Sequence, residues 1–586
     1  MSTKLVTNYF NLHNAKQFRE SISETANSIY YVFAGRHTPY VGGDETVPDL
    51  NNTNDTVNID PYKLMVFGKK VSNTDVKVMV PRYNWVSNTV YTAYSGNTNI
   101  AVNNYYAVVN AVSSFHVFKV LGNNNGAPST VSPNFNDTGA DDEFYSTSDG
   151  YVWKYMYTID SSNFTKFATE EYIPVVPNAN VTGNAVSGAI DVVLVNYAGS
   201  NYNTYLSNTF ISSDLTIGGD PTIFTIANNA IASNGFYNDS YIYIKGGTGL
   251  GQIKKIVDYT VIGTQKKIIV ESGFSTTPDI TSVYEITPSV LVQGDGTGAV
   301  ARALVNTNSS NSISGIEIIK RGSGYTYATT TVLGNTSGVS NTASVSVVFG
   351  PKGGHGKDPE IELGGKYLGI SVTFANNESG TIPVSNDYRT IGLLKDPFFS
   401  NVTLTIATST GVFNDNEVVT QTDSNATGIV KGSTTTTVAV SNVTGIFVTN
   451  KNIVGGTTGA TASVIDYVIN NQVKDFNTFD NRERYTYTAG SGSFIQDEKV
   501  YQLDVSVANA YYHSNDANYY YLTDLRGVLN TGNTMIGVNS GASVILNSHL
   551  PSDIVQGSGE VLYIENVDPI VRSASQSESI KLILKF

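Results

Sequence analysis

The chain has 586 residues, a formal charge of −14, no cysteine and only 14% charged residues. Without cysteine there are no disulfides, thiolate metal sites, iron–sulfur clusters or cysteine nucleophiles, and the composition fits folding in a reducing compartment. The basic residues fall in isolated pairs such as Lys69-Lys70 and Lys254-Lys255, so an acidic chain of this kind is not expected to bind nucleic acid.

The first eight residues, Met1 to Asn8, turn polar at once, and no apolar run approaches the roughly 18 residues of a membrane span. Neither a secretory leader nor membrane insertion is expected. Asn14 is placed to cap a helix over 15–22, with Phe18, Ile22 and Ala26 on one face. A strand over 29–33 follows, punctuated by Gly35 and Pro39. Alternation then predicts strands over 76–80, 151–159 and 580–586. The expected fold is mainly β and multi-domain, with β-sandwich-like modules and one short N-terminal helix.

From about residue 183 to about 550, Gly, Thr, Ser, Asn and Val dominate, and the chain resembles itself. An alternating run over 187–195 leads to Gly199-Ser200-Asn201-Tyr202, and one over 314–320 leads to Gly322-Ser323-Gly324-Tyr325. Residues 411–418 match 492–500, and 459–464 match 541–544, a spacing of about 80 residues. That spacing is too long for a solenoid unit and suits duplicated small β-domains. A Gly- and Pro-rich link over 350–359 separates the two pairs of repeats.

The segments that could carry chemistry fall short of it. Gly246-Gly247-Thr248-Gly249-Leu250-Gly251-Gln252 lacks the Lys-Ser/Thr of a phosphate loop and reads as a turn between strands. Gly294-Asp295-Gly296-Thr297-Gly298 fails the dinucleotide spacing and reads as a loop entering a strand. His13, His37, His116, His355, His513 and His549 show no metal-ligand spacing, and His355 in its glycine setting reads as a loop histidine. Gly490-Ser491-Gly492-Ser493 is a polar turn and not a nucleophile elbow. Asp141-Asp142-Glu143 reads as a solvated acidic loop. No catalytic, cofactor-binding or metal-binding residue is assigned, and no enzyme is expected.

The two ends carry a resemblance. Near the N-terminus it runs through Val6-Thr7, Phe10, Phe18, Tyr30, Phe33, Gly35-Arg36 and Pro39-Tyr40, then Val80-Pro81-Arg82-Tyr83-Asn84-Trp85, and Asp149-Gly150-Tyr151-Val152-Trp153-Lys154-Tyr155. At the C-terminus it runs through Gly559-Glu560-Val561-Leu562-Tyr563-Ile564-Glu565-Asn566, Pro569-Ile570 and 578–586. In these segments the chain resembles the dimeric baseplate wedge protein of T-even-type contractile-tailed bacteriophages, the product of gene eight. The matched ends cover roughly the first 180 and last 35 residues.

The resemblance implies a wedge-protein core formed by 1–182 and 551–586. The intervening chain is then an insertion, with β domains over 183–350, a Gly/Pro-rich connecting segment over 351–398 and duplicated small β domains over 399–550. It further implies a structural subunit of the virion tail baseplate, assembled in the host cytoplasm. Such a subunit takes part in baseplate assembly and in the rearrangement that triggers sheath contraction. The expected partners are a second copy, other wedge proteins, and tail-fibre or peripheral baseplate proteins. Arg36, Pro39, Pro81, Arg82, Gly150, Gly559, Glu560, Tyr563, Glu565, Asn566 and Pro569 carry over as structural positions. Trp85 and Trp153 carry over as core anchors. The inserted β domains keep two alternatives open: a receptor-binding tail adhesin and, ranked below it, a polysaccharide-degrading tail enzyme.

Overall fold

The structure, a computed structural model, describes residues 7–23, 28–50, 60–95, 104–134, 144–207, 211–213, 220–334, 341–376, 378, 382–383, 387–444, 446–473, 476–573 and 575–586. The fold is mainly β, and the chain divides into two compact units. One comprises Met1–Leu12 and Val78–Tyr367, the other His13–Lys77 and Leu368–Phe586.

The N-terminal helix spans Asn8–Ser23. It starts earlier than Asn14 because Thr7 supplies the cap: its hydroxyl accepts from the Phe10 amide at 3.2 Å, and its carbonyl accepts from the Asn11 amide at 3.1 Å. Asn14 therefore lies inside the helix. Leu12 and Ala15 are buried, and the Phe18 ring packs 5.2 Å from Tyr30 and 5.6 Å from Phe586. Ala26 lies outside the described residues. Four further helices among the described residues have seven residues or fewer, and Asp160, Asn178 and Asp358 cap three of them.

In the first unit, Tyr106–Ala111, Ser114–Asn123, Tyr151–Asp160 and Phe144–Ser146 form a four-stranded sheet in that order. Its aromatic core centres on Trp153, stacked on Tyr151 at 5.4 Å and met edge-on by Tyr91 at 5.7 Å. Strands between Tyr205 and Leu333 build a ten-stranded sheet. The two turn tyrosines singled out by the repeat, Tyr202 and Tyr325, are buried in one cluster beside Ile190 and Val290.

The second unit is organised by a five-stranded sheet in the order Thr478–Asp480, Met65–Lys70, Tyr30–Gly35, Asp387–Lys395 and Glu560–Val571. Val32 pairs with Lys69 on one side and Leu393 on the other, and Leu393 pairs in turn with Tyr563. Tyr31, Phe399, Phe476 and Phe479 fill the core beneath it.

The duplicated stretch folds as two closed six-stranded barrels. In the first, the strand order is Phe399–Ile406, Thr437–Thr444, Ala426–Ser433, Val418–Gln421, Asn452–Gly455 and Thr461–Val473. In the second, the order is Glu483–Ser491, Tyr519–Arg526, Ala508–Asn515, Lys499–Gln502, Thr534–Gly537 and Ser543–Leu550. These modules close into barrels where two-layer sandwiches were expected. Closure leaves no free strand edge, and a barrel this narrow is filled by small branched side chains, here Val419, Val430, Val438, Val440 and Val464.

The repeated residues hold equivalent places. Glu417 accepts from the amides of Asn414 (2.7 Å), Thr457 (3.1 Å) and Thr458 (3.0 Å). Glu498 accepts from those of Ile495 (2.7 Å), Asn539 (2.9 Å) and Ser540 (2.9 Å). Four residues on, the buried amides of Gln421 and Gln502 each donate to two backbone carbonyls across the barrel end.

Candidate functional site

The conspicuous polar chemistry of the second unit lies where its sheet meets the barrels. After strand Tyr30–Gly35, Arg36 adopts φ 53° and lays its guanidinium over the Tyr40 ring at 5.0 Å. The chain then runs as a strap over 36–50. Arg389, on the neighbouring strand Asp387–Lys395, clamps the strap: Nε and Nη2 donate to the Asp44 carboxylate at 2.8 and 2.7 Å, and Nη1 donates to the His37 carbonyl at 2.5 Å. The clamp holds the Asp44 carboxyl below its usual range. Tyr40 donates to the carbonyls of Arg389 and Val567, and Asn566 donates to the Pro48 carbonyl at 2.9 Å.

The strap aims His37 at the second barrel. Its Nδ1 contacts the Asp497 carboxylate, its Nε2 contacts the Thr523 hydroxyl, and its ring lies 5.0 Å from His513. The ring of His513 lies 3.3 Å from Arg482 Nη1. Arg482 is held by both oxygens of Asp480 at 2.9 and 2.8 Å, and its guanidinium covers Tyr521 at 4.0 Å. Burial, with Arg482 and His37 beside it, pushes His513 well below the ordinary imidazole range and keeps it neutral.

A second polar knot lies beside the first barrel. Asp553, fully buried, receives Lys431 at 2.7 Å, Arg484 at 3.0 Å and the Asp480 amide at 3.0 Å.

The first unit holds its own buried cluster. Lys119 pairs with Glu362, both out of solvent, under the Tyr94 ring at 4.5 Å. Burial pulls the Lys119 ammonium down against the opposing pull of Glu362. His355 is no solvated loop histidine: it is 1% exposed, wedged between Tyr94 and Phe144. Glycines at 353, 354 and 356 with positive φ let the link fold back and bury it.

The motif positions fall into two separate groups. Arg36, Pro39, Gly559, Glu560, Tyr563, Glu565, Asn566 and Pro569 belong to the second unit; Pro81, Arg82, Trp85, Gly150 and Trp153 belong to the first. Gly150 (φ 84°) and Gly559 (φ 78°) are turns that a side chain would strain, and a Cβ on Gly559 would meet the Lys395 carbonyl oxygen at 2.5 Å. Pro81 ends a strand and its carbonyl accepts from Tyr106, while Arg82 donates to the Thr169 carbonyl at 3.0 Å. Pro39 and Glu560 are exposed, and Tyr563 donates to Glu565. Trp153 is fully buried. Trp85 is only half-buried: it lies on the rim of that core, and its indole N–H donates to Ser129 at 3.1 Å.

The glycine turns are tied down by polar side chains of their own. Gln252 closes the first by bonding to the Gly249 and Thr276 carbonyls, and Asp295 ties the second to the Thr326 and Tyr327 amides. Asp141-Asp142-Glu143 lies outside the described residues. Among the described residues no group of three His, Asp or Glu side chains could hold a metal ion, and no helix is long and apolar enough to cross a membrane. His37 and His513 meet although they are distant in sequence, and only the match of 411–418 to 492–500 pointed towards this region. Neither the known protein families nor the characterised proteins include a match to this chain.

Proposed function

We propose that the chain is a structural subunit of a phage tail baseplate wedge, working through protein–protein contacts and not catalysis. The reading rests on the sequence resemblance at the two ends. It is supported above all by the way those ends pair: strand Tyr30–Gly35 and strand Glu560–Val571 flank the same strand, Asp387–Lys395. Around that strand Tyr62 donates to the Gly559 carbonyl, and Phe18 packs on Phe586. The motif residues of the second unit, from both ends of the chain, thus share one sheet, while those at 81–85 and 150–153 belong to the first unit. Polar clamps such as Arg389–Asp44 suit a body that must keep its shape within a larger assembly. Its partners are a second copy and neighbouring wedge proteins, and its place is the virion baseplate. The test is a cryo-EM map of the intact baseplate with this chain traced in it. A dimer among wedge proteins upholds the reading; a lone peripheral chain overturns it.

A tail adhesin is the second reading. A polar cleft of about 630 Å³ on the first barrel, lined by Val412, Phe413, Asn414, Asp415, Ser433 and Thr457, favours it. Glycan-array binding that is lost in Asp415→Ala would establish it.

A further inference from the structure

The two barrels are built alike, yet they are fastened differently. In the first, Asn416 N donates to the Val430 carbonyl and Val430 N to the Glu417 carbonyl, at 2.6 and 2.9 Å. In the second, Asp497 N donates to the Tyr512 carbonyl and Tyr512 N to the Glu498 carbonyl, both at 2.9 Å. Lys431 and His513, each the next residue along, therefore occupy equivalent positions, as do Asn416 and Asp497. Lys431 reaches Asn416 at 3.2 Å and Asp553 at 2.7 Å. At the equivalent place in the second barrel the fastening is made by imidazoles: His37 of the strap sits on Asp497 with its ring against His513.

We propose that the His37–His513 contact is an acid-released latch, which frees the strap over 36–50 from the second barrel while the first barrel stays tied through Lys431 and Asp553.

The groups around His513 set the direction. From the residues ahead of the barrel comes the Arg482 guanidinium, already engaged by Asp480. From the strap comes His37, already engaged by Asp497 and Thr523. Across the strand pair lie Tyr521, beneath Arg482, and Asp524, which Arg526 holds at 3.1 Å. A proton on His513 puts a second cation against Arg482 in a water-poor interior, and relief comes from withdrawal of the strap, which loosens the Arg389–Asp44 clamp with it. At that place the first barrel carries Lys431 on Asp553, whose carboxyl is held at about 2 and remains ionised throughout the same range. Because folding keeps His513 neutral, the opened state binds more protons. Closure is therefore complete above about pH 6.5, and opening rises up to roughly tenfold per pH unit below it.

Hydrogen exchange of the full chain, corrected for intrinsic rates, is measured near pH 8 and near pH 5.5. The Tyr40 and Gly43 amides, bonded within the strap to Asp44 and to the Tyr40 carbonyl, are the reporters. They should lose about tenfold protection on acidification relative to Asn416 and Val430 of the first barrel. His513→Gln should hold the strap equally at both pH values. Should that variant not fold, His37→Gln serves instead and should be loose at both. A wild-type strap that loses no more protection than the first barrel overturns the latch. So does acid release that persists in His513→Gln, or a His37→Gln strap as well protected as wild type near pH 8.

Discussion

The Lys431 ammonium lies 2.7 Å from the carboxylate of Asp553, whose other oxygen lies 3.0 Å from Arg484. Lys431 belongs to the first barrel and Arg484 to the second, so one buried carboxylate joins both. Asp553→Ala leaves two buried cations uncompensated and should cost about 3–5 kcal/mol. Chemical denaturation reads this directly, and an unchanged midpoint would remove Asp553 from the account.

The same carboxylate gives the second unit an acid limit. Burial pushes Asp553 up, but Lys431, Arg484 and the Asp480 amide outweigh it and hold the group at about 2. A depressed carboxyl stabilises above its unfolded value of about 3.9 and loses that contribution as pH falls towards the folded value. Roughly 2 kcal/mol should disappear between about pH 4 and pH 2, and the loss should be absent in Asp553→Asn.

The first unit should weaken at a milder pH. Burial, then Lys119, depresses His355, so its neutral form is the folded one. Stability is complete above about pH 6.5 and falls below it by up to about 1.4 kcal/mol per pH unit. His355→Phe, which keeps the contacts with Tyr94 and Phe144, should flatten that slope in thermal melts of the first unit's transition.

Trp153→Ala empties the aromatic core between Tyr91 and Tyr151 and should cost about 3–5 kcal/mol. Trp85→Ala, at the rim, should cost clearly less. Equal shifts in melting temperature would contradict the burial difference between the two rings.

The duplication predicts paired effects. Glu417→Ala and Glu498→Ala each strip three backbone amides of their acceptor. Each should cost at least roughly 1–3 kcal/mol. Similar losses in the two barrels check the equivalence, and a loss in one barrel alone would break it.

Strand runs such as 151–159 and 76–80 were legible because alternation and flanking turns are local properties. The barrel repeat was legible because Glu417 and Glu498 recur in matching company. The helix start was misplaced by seven residues: Asn14 and Thr7 are both good caps, and local sequence does not rank them. The burial of His355 was hidden because glycine turns signal a bend without saying what the bend covers. The meeting of His37 with His513 depends on the register of distant strands, which no short window contains. Closed barrels and stacked sheets also share the same alternation, so closure itself left no local mark.

The order of the five-stranded sheet has a consequence for biosynthesis. Strand Tyr30–Gly35 emerges early, but its partner Asp387–Lys395 follows only some 350 residues later. At about 5–20 residues per second the ribosome takes roughly 20–70 s to supply it. For that interval a fully apolar strand has nothing to pair with except Met65–Lys70, while the whole of Val78–Tyr367 can already have condensed behind it. The second unit is thus finished last although it begins early, and its nascent N-terminal strands are the part of the chain most in need of chaperone cover.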